Sequence, residues 1–150
     1  IANLASGNRP VIGMDAIGNT VTAADVNSGN IELVRRNSAG ATIGSPIIYN
    51  VGGPFSNLVP NVAVESDGDF SLLYRYQNSG GARFLMLQRF NSAGSTVGTP
   101  IQINADTSQN IQRYQVAVDP AGNHLVVWVH VTGFVPSFLY GQRVDSSGTK

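Results

Sequence analysis

The segment "NSAGATIGSPI" at 37–47 returns as "NSAGSTVGTPI" at 91–101, and its opening returns again as "DSSGTK" at 145–150. A repeat of fixed period constrains a fold more than composition does. Each copy must be one supersecondary unit that buries its apolar face against its neighbours. Gly40, Gly94 and Gly148 mark the period, standing 54 residues apart. Arg35, Arg89 and Arg143 lie five residues before these glycines, and Asn37, Asn91 and Asp145 three before. In the first two copies Gly44 and Gly98, Pro46 and Pro100, then Asn50 and Asn104 follow in step. A second set of glycines, Gly18, Gly68 and Gly122, stands three residues after an acid: Asp15, Glu65 and Asp119. From Gly40 to Gly68 and from Gly94 to Gly122 the distance is 28 in both cases, whereas Gly18 to Gly40 is 22 and the two later equivalents are 26. The variable stretch lies around 26–30, 77–83 and 131–137, and length variation inside a repeat belongs on loops.

Each copy holds four short runs of β-type residues separated by turn chemistry. The first runs are 11–15, 62–65 and 116–119; the second are 20–26, 70–76 and 124–131. The third are 31–36, 84–90 and 138–144; the fourth are 42–49 and 96–103, with no third example. The junctions "AIGN", "SDGD" and "PAGN", and "NSAG" twice and "DSSG", suit tight hairpins, where Gly supplies positive φ and Asn, Asp or Ser bonds locally. No stretch has a helical period. Four strands per copy at this spacing predict an all-β fold: a β-propeller-like array of about three four-stranded antiparallel blades, the last incomplete. Small residues at one aligned place, Gly13, Ala63 and Ala117, fit an innermost strand crowded by its neighbours. The run 84–90 is apolar on both faces, as expected of a strand between stacked sheets, and Pro46 and Pro100 suit an outer edge. The whole of 1–150 reads as a single repeat domain, with copies at about 10–50, 60–104 and 114–150. Three incomplete blades do not close a ring, so the expectation is a piece of a longer propeller or a homo-oligomer that completes the ring between chains.

Composition narrows the partners. Nine basic and nine acidic residues balance, and eight of the nine basic ones are Arg. No basic stripe is present to neutralise phosphates, so no nucleic-acid partner is expected. No apolar run is long enough for a membrane span. The absence of Cys argues against a disulfide framework or a thiolate metal site. No Asn-x-Ser/Thr sequon occurs, which argues against a eukaryotic secreted glycoprotein. The chain opens at Ile1 without a signal-peptide pattern, so a processed or trimmed chain, or a piece of something longer, is expected.

The best copies of the pattern are "VDPAGNHLVVW" at 118–128 and "LQRFNSAGSTVGTPIQIN" at 87–104. This grammar resembles repeats of large secreted or surface-attached bacterial proteins, where β-propeller-like arrays sit among adhesive modules; FG-GAP-type and lectin-type propellers share similar grammar. The first copy departs most, with Ala24 where the others have Tyr74 and Trp128. The resemblance implies an extracellular or cell-surface binding or display module and no particular ligand.

The aligned Arg35, Arg89 and Arg143 and the aligned Asp15, Glu65 and Asp119 fall toward the end of the tight turns. Residues repeated in every copy hold copies together, so structural ion pairs or backbone clamps are expected there rather than anion contacts. Glu65, Asp67 and Asp69 alternate as Ca²⁺ ligands would, although the equivalent turns carry fewer carboxylates and a hairpin is the simpler reading. His124 and His130 share a face with Trp128 but have no third ligand at hand, so packing is expected of them. Trp128 and Tyr74 occupy one aligned slot and read as core. No nucleophile motif and no persuasive carboxylate pair appears, so neither an enzyme nor a cofactor is expected; a glycosidase or lyase fragment is the catalytic alternative.

Any ligand is expected at the opposite end, among the longer loops. These offer Asn8, Arg9, Phe55, Asn57, Gln77, Asn78, Arg83, Gln109, Asn110 and Phe134. Amides that bond hydroxyls and rings that stack on a sugar face suit a glycan, and equally a protein surface. A non-catalytic binding module is therefore the leading expectation, with a structural subunit assembling edge to edge as the rival.

Overall fold

The computed structural model describes residues 8–27, 29–52, 58–132 and 135–150. Among them the chain has no helix and forms three antiparallel sheets, each a simple meander. The first sheet holds β1 (Asn8–Met14), β2 (Thr20–Asn27), β3 (Asn30–Arg36) and β4 (Ile47–Asn50). The second holds β5 (Asn61–Val64), β6 (Phe70–Gln77), β7 (Arg83–Phe90) and β8 (Thr96–Gln102). The third holds β9 (Asn110–Val118), β10 (His124–Thr132) and β11 (Val135–Val144).

Seven turns among the described residues share one form. In each, the first residue's amide bonds the carbonyl four residues on, and a glycine amide at the fourth position bonds back, as at Asp119, Gly122 and Asn123. This is a three-residue loop with glycine in the left-handed region, the arrangement that keeps strand twist continuous through a short connection. The same turn closes 78–82, which read as a longer loop in the sequence; there Asn78 Oδ1 accepts the Ala82 amide at 3.0 Å.

Four strand starts differ from the expected runs by several residues, the first being β1, which begins at Asn8 rather than 11. β4 is shorter: it begins at Ile47, and ahead of it Thr42 makes an isolated bridge to Arg36. β9 begins at Asn110, ahead of the expected run 116–119. β11 begins at Val135, inside the variable stretch 131–137.

The sheets pack face to face. Alternation on β7 sends Leu85 and Leu87 to one side and Met86 and Phe90 to the other. The first pair meets Ile111, Tyr114, Val116, Val126 and Trp128 of the third sheet. The second pair joins Val21, Ala23, Ile31 and Leu33 of the first sheet, with Phe70 stacked on Phe90 at 4.9 Å between centroids. Each such buried side chain contributes about 1.5–3 kcal/mol over its exposed state. Trp128 lies in this core, stacked on Tyr140, and Tyr74 is buried beside Tyr49. The first strands β1, β5 and β9 lie side by side. Gly13 on β1 is at the closest approach: a Cβ there would come within 2.9 Å of Val64 Cγ2 and 3.3 Å of the Val62 carbonyl.

Candidate functional site: an arginine cleft at the loop end

The aligned charged residues divide by task. Asp119 Oδ1 accepts the amides of Ala121 and Asn123, each at 2.9 Å, and Asp15 does the same for Ile17 and Asn19. The side chain and backbone of Asn123 hold the Asp119 carboxyl below the usual range. Of the aligned arginines, Arg35 serves the sheets instead. Arg35 is buried, and its Nη1 donates to the Ser92 carbonyl of the next sheet at 2.6 Å. Arg89 and Arg143 act on Glu65 and Asp119 only through charge at longer range. Among the described residues no aligned arginine comes within 4.0 Å of a carboxylate.

Two of the candidate Ca²⁺ ligands, Asp67 and Asp69, are committed to the backbone. Asp67 Oδ1 accepts the Asp69 amide at 3.1 Å, and Asp69 Oδ1 accepts the Ser92 amide at 2.7 Å. Among the described residues no three His, Asp or Glu groups converge so that they could hold a metal ion.

His124 is buried at 1% exposure, and its Nε2 shares a 2.6 Å hydrogen bond with the equally buried Ser71 of the second sheet. Glu65 Oε1 stands 3.9 Å from the same nitrogen. This is not a nucleophile relay, which needs the acid on the other ring nitrogen and a reachable hydroxyl. His124 Nδ1 has no hydrogen-bond partner. Burial, then the Arg89 charge, pushes the His124 pKa down to about 4, so the ring is neutral at pH 7. The group is a polar clasp between sheets.

At the other end the structure opens a cleft lined by Arg9, Arg75 and Arg113, one from each sheet. Its remaining lining is Val11, Val59, Pro60, Asn61, Gln112, Tyr114 and Gln115, with no carboxylate. Arg9 and Arg113 are the two described non-glycine residues with positive φ, at 55° and 49°. Both lie where their strand's ladder slips by a residue, between Asn8 and Val11 on β1 and opposite Trp128/Val129 on β9. A bulge re-aims a side chain, and a non-glycine residue held in the left-handed region costs on the order of 1–3 kcal/mol, which the surrounding structure must offset.

Arg75 is anchored by Nη1 donating to the Ile111 carbonyl at 2.8 Å. Behind it, the Tyr114 hydroxyl donates to the Val59 carbonyl and accepts the Arg75 amide at 3.2 Å. Burial raises the Tyr114 pKa, while the Arg75 and Arg9 charges oppose that rise, so both guanidinium groups bear on this floor. Asn61 Nδ2 donates to Gln115 Oε1 at 2.9 Å across β5 and β9.

Of the loop-end residues expected from the sequence, only Arg9 lines this cleft. Gln77 Nε2 reaches the Gly81 carbonyl at 3.4 Å, Arg83 Nη1 reaches the Ser108 carbonyl at 3.4 Å and Gln109 Nε2 donates to Asp106 at 2.7 Å. These three and Asn78 hold loops in place. Asn8 pairs with Asp25, and Asn110 opens β9. Phe55, Asn57 and Phe134 lie outside the described residues. Arg113 had a signal, since it occupies the place aligned with Arg9 and Val59. Arg75 had none, because it sits inside a strand.

Neither protein-family models nor curated protein sequences yield a match to this chain.

Proposed function

We propose that the chain is a non-catalytic, propeller-like binding module of a secreted or surface-displayed protein, and that its loop-end cleft takes an acidic carbohydrate. The observation that carries this is the convergence of Arg9, Arg75 and Arg113 from three sheets without a carboxylate in the lining. Guanidinium forks bind carboxylate or sulfate groups bidentately, with charge-assisted bonds roughly twice as strong as neutral ones. The amides of Asn61, Gln112 and Gln115 suit sugar hydroxyls, and Val11, Val59 and Pro60 offer an apolar wall for a ring face. The near-zero net charge supports a local rather than a polyanion-wide site.

The test is an array of immobilised acidic and neutral glycans probed with the folded chain. Retention on uronate- or sulfate-bearing glycans, weakening with salt, is expected. Equal retention on the neutral parents would reject the acidic assignment.

A further inference from the structure

The cleft carries an amide pair whose orientation is set from behind. The Val116 backbone amide donates to Asn61 Oδ1 at 3.3 Å. A main-chain N–H meets an oxygen and never an NH2 group, so this contact fixes which way the Asn61 amide points. Asn61 Nδ2 is thereby turned toward Gln115, where it donates to Oε1 at 2.9 Å. With its oxygen taken, Gln115 has Nε2 on the other side. Among the described residues no protein group accepts from that nitrogen. Gln115 is exposed and lines the cleft.

The acceptors nearby are spent in the same way. The Val59 carbonyl takes the Tyr114 hydroxyl proton, and the Tyr114 oxygen takes the Arg75 amide at 3.2 Å. Guanidinium groups have no acceptor at all. Around Gln115 the cleft thus offers N–H donors to a ligand and keeps its oxygens for the protein.

We infer that Gln115 is a specificity-determining residue of this cleft and that Asn61 is its positioning residue, an inference that rests on the acidic reading of the cleft. Gln115 Nε2 donates to an oxygen of the anionic group that the arginines hold. A ligand that brings a hydroxyl or amine proton to that place meets no acceptor and is disfavoured. The group recognised against β9 is therefore acceptor-only: a carboxylate or a sulfate ester.

The experiment follows side-chain N–H signals of the whole chain by NMR. Sodium sulfate and sodium acetate are titrated separately, each against sodium chloride at matched ionic strength. Arginine Nε–H signals report the cleft, and the Gln115 Nε2 pair, identified by its loss in Gln115→Leu, reports the inference. Saturable shifts at both are expected, and the anion with the larger response names the group. Gln115→Leu is expected to weaken the arginine response about three- to tenfold, the worth of one hydrogen bond at an exposed place. In Asn61→Asp the new carboxylate accepts from Gln115 Nε2 and turns that amide around. The Gln115 signal is then expected to ignore the anion while the Arg113 signal still moves. Circular dichroism confirms that both variants are folded. Arginine shifts with Gln115 unmoved in the native chain would overturn the inference and leave the acidic reading standing. No response at any cleft arginine would overturn both. A Gln115 signal that still follows the anion in Asn61→Asp would overturn the role given to Asn61.

Discussion

Asn104 shows what a single repeated side chain can do. Its Oδ1 accepts the Leu85 amide at 2.7 Å, and its Nδ2 donates to the Arg83 and Asp106 carbonyls at 2.9 and 2.8 Å. One buried amide thus replaces a rung of the ladder where β8 has ended. Asn104→Leu would leave a buried amide and carbonyl unpaired, at about 1–3 kcal/mol for each unsatisfied group. A urea titration should show a loss of about 2–4 kcal/mol, against less than about 1 for the exposed Asn50→Leu. The recurrence of Asn50 and Asn104 was visible in the sequence. Their role was not, because nothing in one chain's spacing reveals which backbone groups lack partners.

His124 adds a pH dependence at the same scale. Its folded pKa of about 4 lies below the ordinary 6.5, so the unfolded chain protonates first on acidification. The clasp's stability is fully present above pH 6.5 and is lost as pH falls toward 4, a change on the order of 3 kcal/mol. Glu65, raised by burial, acts in the opposite sense, since its folded form takes up a proton more readily. Asp119 and Asp145, lowered by their turn bonds, add to the acid loss. All three are shared by a His124→Gln variant. The difference in urea stability between pH 7 and pH 4.5 should therefore be larger for the native chain than for His124→Gln; equal slopes would remove His124 from the acid response.

At the scale of elements, the sequence was most legible where one local pattern decides the structure. The glycine-bearing turns and the strands around them follow from three- or four-residue signals, and eleven strands emerge among the described residues in the expected order. β9 and β11 run longer than expected because strand ends are set by pairing with β10, which is itself long, rather than by their own residues. The small residue on the first strand had a physical reason that the contacts of Gly13 supply. Gly13→Val should destabilise the packing of β1 on β5 by about 1–3 kcal/mol, the usual cost of overpacking, read as a lower urea midpoint with an unchanged slope. Ala117→Val, on an exposed place of β9, should cost much less.

At the scale of the molecule, copies of one pattern produce two unlike ends. The tight-turn end is repetitive, and its charged residues close turns and clasp sheets. The loop end is where copies diverge, and there Arg9 and Arg113 fall at aligned places while Val59 occupies the third. The cleft was only half legible, because it depends on two bulges and on how far β6 carries Arg75 toward its neighbour. Repetition thus supplies the scaffold, and departures from it supply the site.

Binding of an acidic sugar in the three-arginine cleft is read by calorimetric titration with an oligo-uronate. Three chains are compared: native, Arg9→Gln and Arg113→Gln. Both arginines are exposed, so folding should survive either change. Loss of one charge-assisted contact should weaken affinity about tenfold or more in each variant, with the salt dependence reduced. Unchanged affinity in both folded variants would place the ligand outside this cleft.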